Sequence, residues 1–200
     1  MSLGTPCPRS LAQALLLAQK PARLPVRVER LRFERSLLLD SLGHYCALTG
    51  NTLDGLTGGA SAALQDGCTL VRQRGGKRVY IILYNEGVGS TRRRSFTLAH
   101  EVGHIYLEHT EDDPVREREA DAFAAELLMP RVLAAEYLKM AGGRGNPAGA
   151  LSQVFGVSLA MARVSLQGLG WGEVFTEREE ALLARYRVAL PDPAEPEIAY

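Results

Sequence analysis

The stretch FTLAHEVGHIYLEH, residues 96–109, gathers three of the four histidines of a 200-residue chain into ten positions. Leu98, Val102 and Ile105 recur within it at helical spacing, which predicts one amphipathic helix over about 96–109. His100, Glu101 and His104 spell H-E-x-x-H. Residues four apart on a helix lie about one turn apart on the same face, so both imidazoles can reach a single ion. Zinc suits imidazole nitrogen and carboxylate oxygen, and a hydrolytic site keeps one position for water beside three protein ligands. Glu101 adjoins the first ligand without being needed as one, and it can take a proton from that water.

A second helix is predicted over PVREREADAFAAELLM (114–129), with Asp113 as N-cap and Pro114 as first helical residue. Its acids are Glu117, Glu119 and Asp121. Glu117 and Asp121 are four apart and share a face, while Glu119 is expected to point elsewhere. Glu117 can complete the metal shell, and Asp121 can accept a hydrogen bond from a ligand histidine and so fix its tautomer. A charge run of this kind is ordinarily a solvated helix face with i,i+4 partners. The preceding H-E-x-x-H favours the metal reading, with Glu117 preferred over Glu119 as third ligand. His109 falls five residues beyond His104 and is expected off the ligand face, exposed or capping the helix end. His44 has no partner pattern, and no Tyr, Arg or His stands out as an oxyanion donor.

Composition gives these motifs an ordinary globular setting. The chain is 46% hydrophobic and 23% charged, and its length suits one domain with room for a sizeable core. Lys+Arg and Asp+Glu both number 23, so overall charge points to neither nucleic acid nor membrane. Residues 1–35 hold seven Lys/Arg against two Glu, which reads as a solvated basic face and leaves a local anionic contact open. Cys7, Cys46 and Cys68 fit neither a disulfide framework nor a CxxC metal site, and reduced thiols are expected. No secretory pattern and no apolar run long enough to span a bilayer is present, so a cytoplasmic protein is expected.

Ser10 and Gln13 resemble a capping box opening an N-terminal amphipathic helix. VRVERLRF (26–33) fits a strand or a charged helix equally, and the Gly- and Thr-rich stretch 49–67 reads as loop. CTLVRQ (68–73) and RVYIILY (78–84) flank RGGK and predict a hairpin with a loop longer than two residues. Beyond Pro130 come RVLAAEYLKM, a glycine-rich break, two short helices joined at Gly156-Val157, and a last helix capped by Thr176 and Glu179 and running to about Leu190. Residues 191–200 are expected to form a loose tail.

FTLAHEVGHIYLEH followed by EREADAFAAELLMP resembles the ImmA/IrrE family of metallopeptidases. The family's hallmark is an F-T-x-A-H-E-x-G-H helix followed by E-x-x-A-[N/D]-x-F-A-x-x-L-L-x-P. The match is close over 95–130 and looser over about 24–94, where VYIILYNE takes the place of the strand before the active-site helix. The resemblance implies a zinc-dependent endopeptidase with a gluzincin-like site: His100, His104 and Glu117 as ligands and Glu101 as base. It also implies helix-turn-helix repressors of mobile elements or stress genes as substrates. The expected fold is therefore α+β and zincin-like, a small twisted sheet packed on the H-E-x-x-H helix with a mostly helical C-terminal half. Residues 1–141 would form the metallopeptidase domain, 142–190 a helical, helix-turn-helix-like region, and 191–200 the tail.

Within that region LSQVFGVSLAMARVSLQGLG (151–170) has a helix-turn-helix rhythm, but its second helix offers only Arg163 as a cation. Packing or substrate docking is favoured over DNA binding. Two rival functions remain: a DNA-binding regulator, and an interaction module in which zinc is a structural brace. A brace needs no base beside its ligands, so Glu101 argues against the second.

Overall fold

A two-residue turn sets the sheet. The computed structural model describes residues 7–52, 55–56, 66–87, 89–111, 113–143, 145–169 and 174–193. Gly75 and Gly76 both have positive φ, 58° and 75°, as a type I′ hairpin turn demands. Strands β1 (Gly67–Arg74) and β2 (Lys77–Tyr84) therefore pair antiparallel up to Arg74 opposite Lys77, and the loop is two residues, shorter than expected. Earlier in the chain Leu37–Ser41, hereafter β0, lies parallel to β2 with Leu39 beside Ile82. Its partner lies some forty residues away, and nothing local announces it. The mixed sheet runs in the order β0, β2, β1, leaving β1 as an edge among the described residues.

Helix α1 spans Pro8–Ala18 and begins earlier than the Ser10 cap predicts. Proline at N1 is pre-set for a helix, so Cys7 occupies the N-cap without a side-chain bond. Gln13 faces inward and donates to Glu126 Oε1 at 2.8 Å. Residues 26–33 form neither strand nor helix: Val26 and Val28 are buried around a single 3-10 turn, Val28–Arg30. Helix α2 (Leu42–Thr49) is capped by Ser41 and closed by Gly50 at φ 70°. Residues 53–54 and 57–65 of the expected loop lie outside the described residues, as do 194–200 of the tail.

The histidine helix α3 runs Thr91–Tyr106 from its Ser90 cap, so it starts and ends earlier than expected. Helix α4, Pro114–Leu128, has Asp113 accepting from the Val115 and Arg116 amides, as the sequence suggests. These bonds to the ionised carboxylate hold its pKa below the usual value. Helices α5 (Arg131–Ala141), α6 (Pro147–Val154), α7 (Leu159–Gln167) and α8 (Glu177–Tyr186) complete the chain. Gly156 at φ 65° turns α6 into α7, the two axes being bent by 118°, a helix-turn-helix geometry. The Thr176/Glu179 capping box forms, but α8 ends at Tyr186 and passes into a 3-10 turn before Leu190. One buried cluster joins Leu16, Leu98, Phe123, Leu133, Leu151, Phe155 and Leu182. Among the described residues no single helix is long and apolar enough to cross a membrane.

Glu126, 4% exposed between α1 and α4, has its pKa raised by burial, with Gln13 and the Arg131 amide partly offsetting that. A carboxyl raised on folding contributes stability that is full below its unfolded pKa and lost as pH climbs through the folded value. The Glu126→Gln variant should therefore gain stability relative to the natural chain as pH rises above about 4.3. Denaturant unfolding of both proteins across that range checks it, and a pH-independent difference would contradict it.

Candidate metal centre

Helices α3 and α4 approach closely because Gly103 sits between the two histidines. A Cβ there would come within 3.2 Å of the Ala120 Cα and carbonyl oxygen and of Phe123 Cδ1. This contact carries Glu117 and Asp121 of α4 to the histidine face of α3. The Nε2 atoms of His100 and His104 lie 2.9 Å apart, and each is 3.3 Å from a Glu117 carboxylate oxygen. Four-coordinate bonds of about 2.0–2.1 Å put neighbouring ligand atoms about 3.3 Å apart, so the donor set fits a zinc-sized ion. His100, His104 and Glu117 are the group the described residues offer for a metal.

The outward ring nitrogens leave Nε2 available on both rings. His100 Nδ1 lies 2.8 Å from Asp121 Oδ1, where the sequence reading placed it. An ionised carboxylate only accepts, so Nδ1 carries the proton and Nε2 the lone pair. His104 is held differently. Its Nδ1 is 3.1 Å from His109 Nδ1, and His109 Nε2 is 3.1 Å from Glu119 Oε2. With Glu119 accepting, His109 protonates at Nε2 and its Nδ1 accepts from His104 Nδ1–H.

His109 and Glu119 thus correct two expectations. The His109 side chain is only 6% exposed, neither solvated nor capping, and Glu119 does not point away from the site. The cause is the end of α3: Glu108 takes φ 58°, its amide bonds Ile105 O, and the His109 amide bonds His104 O at 3.0 Å. That is a Schellman turn, and it folds His109 back over the last helical turn. A glutamate in the left-handed position gives no sequence signal, because glycine or asparagine is usual there. Arg35 holds its carboxylate at 2.8 Å.

Glu101 faces a cleft of about 710 Å³ between α3 and the edge strand β1. Thr69 Oγ1, on β1, donates to Glu101 Oε2 at 2.5 Å, a contact that no local pattern foretells. Cys68 also lines the cleft, and burial followed by the Glu101 charge pushes its thiol pKa up. His44 stands apart, exposed and bonded to Asp40 at 2.7 Å.

An α+β scaffold with a histidine pair, a carboxylate and an adjacent glutamate in one cleft defines a metallopeptidase-type site. The family model described as Peptidase_M78, IrrE N-terminal-like domain, matches residues 66–167, from β1 to the end of α7. The chain belongs to this ImmA/IrrE peptidase family. No curated protein matches it.

The relay through His109 makes a prediction opposite to the one Glu119 suggests from sequence. His109→Ala and Glu119→Ala should each weaken zinc binding about 10–100-fold, as loss of a partner behind a metal-binding histidine does. Competition with a chromophoric chelator measures this. Unchanged affinity in Glu119→Ala would show that the relay holds nothing in place.

Proposed function

We propose that the chain is a cytoplasmic zinc-dependent endopeptidase that cleaves a helix-turn-helix transcriptional repressor of a mobile element or stress response. The observation that carries the reading is the grouping of His100, His104 and Glu117 in one cleft with Glu101. In this reading the first three hold zinc, and Asp121 holds the His100 ring. Bound zinc supplies Lewis acidity, bringing the pKa of a water to about 7. Glu101 accepts the proton of the attacking water and returns it to the departing amide nitrogen. Thr69 fixes one oxygen of that carboxylate, so the base is oriented before substrate arrives.

The sheet edge supports a peptide substrate. Among the described residues strand β1 has β2 on one side only, and it lines the cleft, so an extended segment could pair along its other side. Such a groove takes locally mobile segments and ignores well-folded chains. Docking of the repressor falls to α7, whose Val164 is 69% exposed. The interior of this region is committed elsewhere, since Leu151, Phe155, Leu182 and Tyr186 all belong to the core. Removing residues 147–200 would therefore disrupt folding before it reported on docking.

Glu101→Gln keeps the side chain's shape but cannot accept the proton. It should retain zinc and lose repressor cleavage about 10²–10⁴-fold. The assay is incubation of zinc-loaded protein with the repressor encoded beside it. Near-normal cleavage by the zinc-loaded variant would remove Glu101 from the reaction.

Selectivity is tested separately. The intact chain should cut that repressor at few bonds and leave casein largely whole, whereas efficient casein digestion would indicate a general protease. Val164→Glu should slow repressor cleavage without reducing zinc content, and an unchanged cleavage rate would remove α7 from docking.

A further inference from the structure

The basic excess near the N-terminus is not dispersed over the surface. Lys20, Arg23, Arg27, Arg30 and Arg32 line one cavity of about 310 Å³, away from the metal-centre cleft, between the end of α1, the following loop and α8. Among the described residues no acidic side chain lines it, and Glu29 and Glu34, the acids of this segment, are not part of its lining. Among the described residues none of the five cations has an ion-pair partner, whereas Arg35, Arg93, Arg116 and Arg187 each hold a carboxylate. Clustered like charges repel one another, and among the described residues no ion pair offsets that repulsion here.

The loop that presents these charges is pinned. Gln19, itself 5% exposed, donates to the carbonyls of Leu15 and Arg32 and accepts the Arg32 amide at 2.8 Å. Val26 and Val28 anchor the same loop in the core. Leu24 and Leu31 give the cavity apolar lining, and Tyr186, bonded to Leu16 O, closes it. The backbone that carries the cations is thus fixed before any ligand arrives.

Four of the five are arginines, whose planar forks match phosphate oxygens in pairs. The volume lies at the lower end of small-molecule sites, about 300–1,000 Å³. A nucleic-acid surface spreads its cations along a stripe that follows a backbone. Here they surround a concavity with apolar lining, which suits a compact anion carrying an organic group.

We propose that this cavity binds a small polyphosphate of the nucleoside di- or triphosphate class. The proposal does not depend on the peptidase reading. Calorimetric titration of the full, zinc-loaded chain with ATP, inorganic tripolyphosphate and inorganic phosphate tests it. ATP should bind with one-to-one stoichiometry, tripolyphosphate should bind as well, and phosphate should bind about tenfold or more weakly.

Arg27→Glu combined with Arg30→Glu, both at exposed positions, should weaken ATP binding about tenfold or more with thermal unfolding and zinc content unchanged. Lys20→Glu with Arg23→Glu is an independent pair if the first alters folding. Removal of zinc by the nucleotide would not depend on these residues, so the variants separate chelation from binding. Absence of ATP binding at about 1 mM, equal affinity for phosphate, or binding unaffected by the substitutions overturns the proposal. Tighter, steeply salt-dependent binding of a short duplex DNA through the same arginines also overturns it, in favour of a nucleic-acid surface.

Discussion

The close approach of α3 and α4 at Gly103 and Ala120 is the constraint on which the site depends. Two histidines on one helix cannot complete a metal shell alone. The third group must come from another element at a fixed distance, and that distance is set by the absence of a side chain at Gly103. Phe123 and Ala124, one turn further along α4, are fully buried in the same core cluster as Leu98, Ala99 and Val102 of α3. Burial of a phenylalanine of this kind contributes on the order of 1.5–3 kcal/mol. The same packing that stabilises the two helices therefore also positions Glu117 and Asp121.

The imidazoles of His100 and His104 are oriented by supports of unequal length. His100 rests directly on Asp121, a carboxylate of the facing helix. His104 rests on His109, which rests on Glu119, so its orientation depends on a chain reversal as well as on helix packing. Glu108 in the left-handed region is the local cost of that reversal, and Arg35 is the group that restrains it. Arg35 comes from the segment just before β0. The sheet, the end of the histidine helix and the imidazoles of the candidate metal centre are thereby linked through the side chains of Arg35, Glu108 and His109.

Local periodicity made much of this legible from the amino-acid sequence. The H-E-x-x-H spacing, the E-x-x-x-D spacing, the Asp113 and Thr176 caps and the two hairpin strands are all short-range signals, and the structure contains each of them. What stayed hidden depends on distant partners or unusual backbone. Strand β0 forms because Leu37–Ser41 meets β2 in parallel, a pairing encoded in neither segment separately. Gln13 looked like a capping residue, but Pro8 starts the helix earlier and Glu126 takes its amide. Thr69 reaches Glu101 through sheet register, and His109 reaches His104 through a turn that only the folded chain shows.

We propose that this helix crossing builds a three-ligand metal centre from His100, His104 and Glu117. Anomalous diffraction at the zinc edge from crystals of the zinc-loaded protein tests it most directly. One zinc is expected at about 2.0–2.2 Å from the Nε2 atoms of His100 and His104 and from an oxygen of Glu117, with Asp121 and His109 outside the shell. A zinc bound through Glu119 or Asp121 in place of Glu117, or one seated away from the α3–α4 crossing, would contradict it.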